Sequence, residues 1–167
     1  SLIVNSTTPL VLDADALNCV AKQPEILLRK KVPIIITPHP GEMSRLTGLA
    51  TPLENAERER VALDFAQKYG VVTVLKGAGT VIASPNGKVL VNPTGNSGMA
   101  TGGSGDVLAG MTASILAQGA SAFSSAAAAV YLHGFAGDIA AEKCGKISML
   151  PTDLINCIPL AYKRCGF

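Results

Sequence analysis

Five glycines, Gly95, Gly98, Gly102, Gly103 and Gly105, crowd a short stretch that runs directly into Val107–Ala117, an apolar segment without proline. Glycine lets a backbone turn sharply and lets a ligand come close to the N–H groups, so the stretch is expected to be a ligand-facing loop. The apolar segment behind it should be a helix. Such a helix directs its unpaired N–H groups and the positive end of its dipole back into the loop, an arrangement suited to phosphate. The spacing is neither Gly-x-Gly-x-x-Gly nor a Lys-containing P-loop, and it falls late in the chain, so the nucleotide motifs that follow a first strand do not apply.

Asp106 stands at the start of this helix, and its simplest role is a first-turn or capping carboxylate. The surrounding glycines and the hydroxyls of Thr94, Thr101 and Ser104, all able to face one polyphosphate, favour a catalytic or ligand-contacting role instead.

Upstream, short apolar runs alternate with helical patterns, and each run ends in a residue with chemistry. Pro9–Asp13 reads as a strand followed by a helix from Ala14. Asp13 and Asp15 then lie near a strand's carboxyl end, where open α/β sheets bind ligands, although Asp15 serves equally well as an N-cap. Pro33–Thr37 reads as a strand, and His39 follows it between two prolines that restrain the backbone on both sides. At that same sheet edge, His39 is a candidate for ligand contact. Thr51 and Pro52 suit a helix start, and Val61, Phe65 and Tyr69 recur at helical spacing among charges that need no function beyond solvation. Gly70–Leu75 is a buried type of strand ending in Lys76-Gly-Ala-Gly-Thr80; the lysine could neutralise a phosphate or simply reach solvent. Asn86-Gly87 between two apolar runs predicts a hairpin. Helices are expected over 105–118, 121–143 and 152–162, with His133 inside the second as a satisfied buried histidine.

Composition narrows the rest. The 167 residues, 48% apolar and 16% charged, suffice for one domain with a full core. A net charge of +2, with Arg29-Lys30-Lys31 as the nearest approach to a basic run, argues against nucleic-acid binding. Cys19, Cys144, Cys157 and Cys165 form no Cys-x-x-Cys pair and read as reduced, mostly buried thiols, so a cytoplasmic location is expected. No leader is apparent in Ser1–Ser6. Val107–Gly137 contains no charged residue, but Gln118-Gly119 and His133 interrupt it, so two buried helices rather than a membrane span are expected.

In the order Leu12-Asp-Ala-Asp-Ala-Leu-Asn18, Ile36-Thr-Pro-His-Pro-Gly-Glu42 with Arg45-Leu-Thr-Gly48, Val74-Leu-Lys-Gly-Ala-Gly-Thr-Val81 and Asn92–Gly110, the chain resembles the ADP-dependent NAD(P)H-hydrate dehydratases of the ribokinase-like superfamily. The resemblance covers the chain nearly end to end. It implies an α/β fold, a mainly parallel sheet with helices on both faces. It further implies phosphorylation of the hydroxyl of hydrated NADH or NADPH by ADP, or ATP, with Mg²⁺, followed by loss of phosphate. In that scheme Gly102, Gly103, Ser104 and Gly105 form the anion hole, Asp106 takes the proton and contacts substrate, and His39 contacts the hydrated nicotinamide. Lys76, Gly77, Ala78, Gly79, Thr80 and Asn96 border the adenine nucleotide, and no side chain is assigned to the metal. The implied partner is an NAD(P)H-hydrate epimerase. Family domains carry further elements before the first motif, so residues 1–167 read as one domain lacking the usual N-terminal part, with an open sheet edge favouring a homo-oligomer. Two other readings stand beside it: a ribokinase-like kinase of a small alcohol or vitamin precursor, and a nucleotide-binding chain without turnover.

Overall fold

The structure, a computed structural model, describes residues 2–49 and 55–166. A four-residue helix α1 (Leu2–Asn5) leads into β1 (Leu10–Leu12). β2 (Ile34–Ile36) and β3 (Val72–Leu75) are further apolar runs too short for helices. These three strands pair in parallel, with Leu10 opposite Ile34 and Ile35 opposite Val72. Parallel neighbours require crossovers, and helices supply them. α2 (Asp15–Ala21) and a 3-10 turn (Pro24–Arg29) link β1 to β2, while α3 (Pro40–Thr47) and α4 (Asn55–Tyr69) link β2 to β3. The strands are added in sequential order, so right-handed crossovers put both connections on the same face of the sheet.

The Asn86-Gly87 hairpin follows as expected, with Gly87 at φ +89° between β4 (Val81–Ala83) and β5 (Val89–Val91). The sheet order is β1-β2-β3-β4-β5, and β4 alone runs against the other four. After the hairpin the chain covers the opposite face with α5 (Ser104–Ala117), α6 (Ala122–Cys144) and α7 (Pro151–Arg164).

Alternation along the strands divides the core. Ile34, Ile36 and Leu75 pack with Leu17, Met43, Val61 and Phe65 of the crossover helices. Ile35, Val72, Val74 and Ile82 pack with Leu108, Met111, Ala126 and Val130 of α5 and α6. Burial on both faces is why these strands read as unbroken apolar runs. A third cluster, including Ile139, Leu154, Cys157 and Ala161, joins α6 to α7.

The α/β architecture with two helical layers is the expected one, and the uncharged stretch from Val107 is indeed two helices. No helix among the described residues is long and apolar enough to cross a membrane. The cysteines depart from expectation: all four are unbonded, but only Cys157 is buried and Cys19 is exposed. The proposed helix start at Thr51 and Pro52 lies outside the described residues.

Candidate active site

The carboxyl ends of β1, β2 and β3 bring Asp13, His39 and Lys76 to one edge, facing the first turn of α5. Lys76 Nζ lies 2.7 Å from Asp13 Oδ1 and 3.9 Å from Glu42 Oε2. A Cβ placed on Gly105 would stand 3.4 Å from that Nζ and 3.8 Å from Asp13 Oδ2. Four distant parts of the chain thus meet here, and the lysine does not simply reach solvent: it holds two carboxylates together. Asp15 is not an N-cap. It is the first residue of α2, its Oδ1 accepting from Asn18 Nδ2, and the cap position is Ala14 at φ +49°. That conformation is strained for a residue with a Cβ.

His39 is fixed by more than its prolines. Its Nδ1 accepts from the N–H groups of Gly41 (3.0 Å) and Glu42 (3.3 Å), capping α3. The ring proton therefore sits on Nε2, 3.5 Å from Glu42 Oε1, while Glu42 Oε2 accepts from the His39 N–H at 2.7 Å. The imidazole remains about half exposed, at 51%. Glu42, buried at 5% and shared between His39 and Lys76, was missed in the sequence. Its position three residues after a cap residue was the available signal.

Asp106 is the third residue of α5, and its exposed carboxylate has no hydrogen-bond or ion-pair partner among the described residues. A capping carboxylate would be engaged; this one is free. Gly103 precedes the helix at φ +97° and packs against Pro151, but a Cβ on Gly102 would meet nothing within 4 Å. Among the described residues nothing crowds Gly102, and its side faces open space. The buried Ser104 Oγ also has no hydrogen-bond partner among the described residues.

The rear of the loop is pinned to α6. Thr94 Oγ1 lies 2.9 Å from Tyr131 O and 3.1 Å from Asn92 Oδ1, so it is turned towards the helix, not alongside Ser104 as the sequence suggested. Gly95 N donates to Asp138 Oδ2 (2.8 Å), and Asn96 Nδ2 donates to Asp138 Oδ1 and Gly137 O (both 3.0 Å). Asn96 Oδ1 accepts from Gly98 N, so this side chain is occupied in holding the loop. At the far end of the loop His133 Nε2 donates to Ser104 O at 2.9 Å. Burial pushes the His133 pKa down to about 4, aided by the charge of Lys76 and opposed by the Ser104 bond. The ring is neutral and satisfied, as anticipated.

A family model described as NAD(P)H-hydrate dehydratase matches residues 1–160. The chain belongs to the NAD(P)H-hydrate dehydratase family. The bifunctional NAD(P)H-hydrate repair enzyme Nnr of Moorella thermoacetica is 46% identical over 98% of this chain and 31% of its own length. The ADP-dependent (S)-NAD(P)H-hydrate dehydratase of Neisseria meningitidis is 42% identical over 86% of this chain and 49% of its own length. The chain thus spans about half or less of these relatives. Among solved structures, the ADP/ATP-dependent dehydratase of Bacillus subtilis, co-crystallised with ATP/Mg²⁺, superposes with a TM-score of 0.87 at 36% identity, covering 97% of this chain and 57% of that one. A ribokinase-like protein of Enterococcus faecalis superposes at 0.77 with 34% identity, placing the fold in that superfamily.

In this dehydratase-family chain the Lys76–Thr80 segment is braced from below. Arg58 of α4, only 6% exposed, donates to the carbonyls of Ala78 (2.7 Å), Leu75 and Lys76 (both 3.3 Å). Gly77 at φ +150° leaves room for it, since a Cβ there would lie 2.6 Å from Arg58 Nη2. The charges of α4 are therefore not all solvating, and the signal was present: Arg58 precedes Val61 and Ala62 on the inward stripe. The open side of Gly102 and the unpartnered Ser104 hydroxyl fit a bound polyphosphate. Among the described residues no group of three or more acidic, His or Cys side chains could itself hold a metal.

Proposed function

We propose that the chain carries out the nucleotide-dependent dehydration of hydrated NADH or NADPH, with ADP or ATP as phosphoryl donor. The observation that carries this reading is the free, exposed carboxylate of Asp106 in the first turn of a helix whose amino end opens onto Gly102. Magnesium nucleotide, when bound, supplies the phosphoryl group and neutralises its charge. The N–H groups at the start of α5, in the segment Gly102–Gly105, bind and orient phosphate oxygens through the helix dipole. Asp106 accepts the proton of the ring hydroxyl as the hydroxyl oxygen bonds to phosphorus and the bond from that phosphorus to the rest of the nucleotide breaks; inorganic phosphate then leaves the ring carbon as the adjacent carbon gives up a proton, which restores the double bond. His39, held by its capping bonds with the imidazole about half exposed, contacts the hydrated nicotinamide. Lys76 holds Asp13 at the base of the site, and Gly77, Ala78, Gly79 and Thr80 border the nucleotide on the segment braced by Arg58. Asn96 contributes by ordering the loop.

The same reading places the protein in the cytoplasm beside an epimerase that interconverts the two forms of the hydrated ring. It also includes self-association through β1, whose outer edge is unpaired among the described residues. The deciding experiment adds purified hydrated NADH or NADPH with Mg²⁺ and ADP or ATP, and follows the absorbance of the reduced ring. Recovery of that signal with release of inorganic phosphate is the expected result. A stable phosphorylated product would indicate a small-alcohol kinase, and ADP binding without turnover would indicate a nucleotide-binding chain.

A further inference from the structure

The loop that faces the phosphates is open on one side and held on the other, and one acidic side chain does much of the holding. Asp138 engages Gly95 N with Oδ2 and Asn96 Nδ2 with Oδ1. Asn96 in turn fixes Gly98 N with its own carbonyl oxygen. The connection runs from α6 through Asp138 and Asn96 into the loop, and its first links involve an ionised acceptor, the stronger class of hydrogen bond. The helix surface beside it is shaped for this approach. A Cβ on Gly134 would stand 2.2 Å from Thr94 Oγ1, and one on Gly137 would stand 2.3 Å from Met99 Sδ. Gly95, at φ +103°, adopts the backbone that turns its N–H to the carboxylate.

We infer that Asp138 is a positioning residue for nucleotide binding: through Asn96 it sets the conformation of residues 94–99 leading into the phosphate-holding turn. The inference rests on the nucleotide reading of that turn. A residue serving only general stability would lower the melting temperature and leave the loop's own order unchanged once the protein is folded.

The test uses the full chain with Asp138→Ala, the isosteric Asp138→Asn, Asn96→Ala, and the Asp138→Ala/Asn96→Ala double variant. ADP with Mg²⁺ is titrated calorimetrically, thermal unfolding is followed by circular dichroism, and amide exchange is measured at Gly98, whose acceptor belongs to Asn96. Expected for Asp138→Ala are an ADP affinity about tenfold weaker, the scale of one lost charge-assisted bond, and a faster Gly98 exchange with a melting temperature close to that of the unaltered chain. Asp138→Asn, retaining one acceptor, should fall between. The double variant should bind little worse than either single one, because both act along one path. Unchanged Gly98 exchange in a folded Asp138→Ala protein overturns the inference, as does unchanged ADP affinity. If the unaltered chain itself binds no ADP, the nucleotide reading fails and with it the role in binding, while Gly98 exchange still decides whether Asp138 orders the loop.

Discussion

Asp106 differs from the other acidic groups at the sheet edge in having nothing to hold, and its substitution separates chemistry from binding. A general base contributes about 10² to 10⁴ in rate, so Asp106→Asn should lower turnover by at least about a hundredfold. Its ADP affinity should stay within a few fold, as titration of the same preparation would show. A variant keeping most of its rate would remove Asp106 from the proton transfer. His133 carries a pH dependence of known sign. Its pKa falls from 6.5 to about 4 on folding because burial penalises the charged ring. The unfolded chain therefore binds the extra proton first, so this contribution is complete above pH 6.5 and is lost as pH falls towards 4, by on the order of 3 kcal/mol in total. Denaturant melts between pH 7 and 4 should show the decline, and it should be absent in His133→Gln. Ala14, at φ +49°, predicts the opposite kind of change: Ala14→Gly should raise stability by roughly 1 kcal/mol in the same melts, because strain relieved there exceeds the entropy glycine adds.

At the scale of elements, α4 and α6 each support a loop from behind. Arg58→Ala would leave the three carbonyls of Leu75, Lys76 and Ala78 without their shared donor, and should cost about 2–3 kcal/mol in chemical denaturation. Gly134→Ala tests the fit of α6. Alanine is worth about 1 kcal/mol more than glycine in a free helix. Here its Cβ would meet the Thr94 backbone at 2.8 Å, so the sign should reverse to a loss of about 1–3 kcal/mol. These supports mark the limit of what the chain's pattern reveals. The strands, the hairpin and the helices were legible because apolar spacing and Asn86-Gly87 act locally. Asp13, His39, Lys76 and Asp106 could be named because each ends an apolar run or opens a helix. Asp138 escaped because tertiary packing alone brings Gly95 N and Asn96 Nδ2 to it, and Glu42 because Lys76 reaches it only across the sheet edge. The hydroxyl of Thr94 was assigned to the ligand side because composition does not say which way a loop residue turns.

At the scale of the whole molecule, the open strand edge and the assembled site make separate demands. Among the described residues β1 and β5 bound the sheet, and Leu90 and Val91 of β5 are about half exposed, at 48% and 50%. Native-state amide exchange should accordingly rank β3 as the most protected strand and the edge strands as the least. The site itself joins Asp13 to Lys76 across 63 positions of sequence, and α5, which follows the hairpin in the chain, brings Gly105 beside that pair. No piece of this chain shorter than residues 13–106 contains all of it. On the proposed nucleotide-binding reading, occupancy is therefore a certificate of folding: each bound molecule has both helical layers in place, and ample nucleotide would draw the population towards intact molecules by mass action alone.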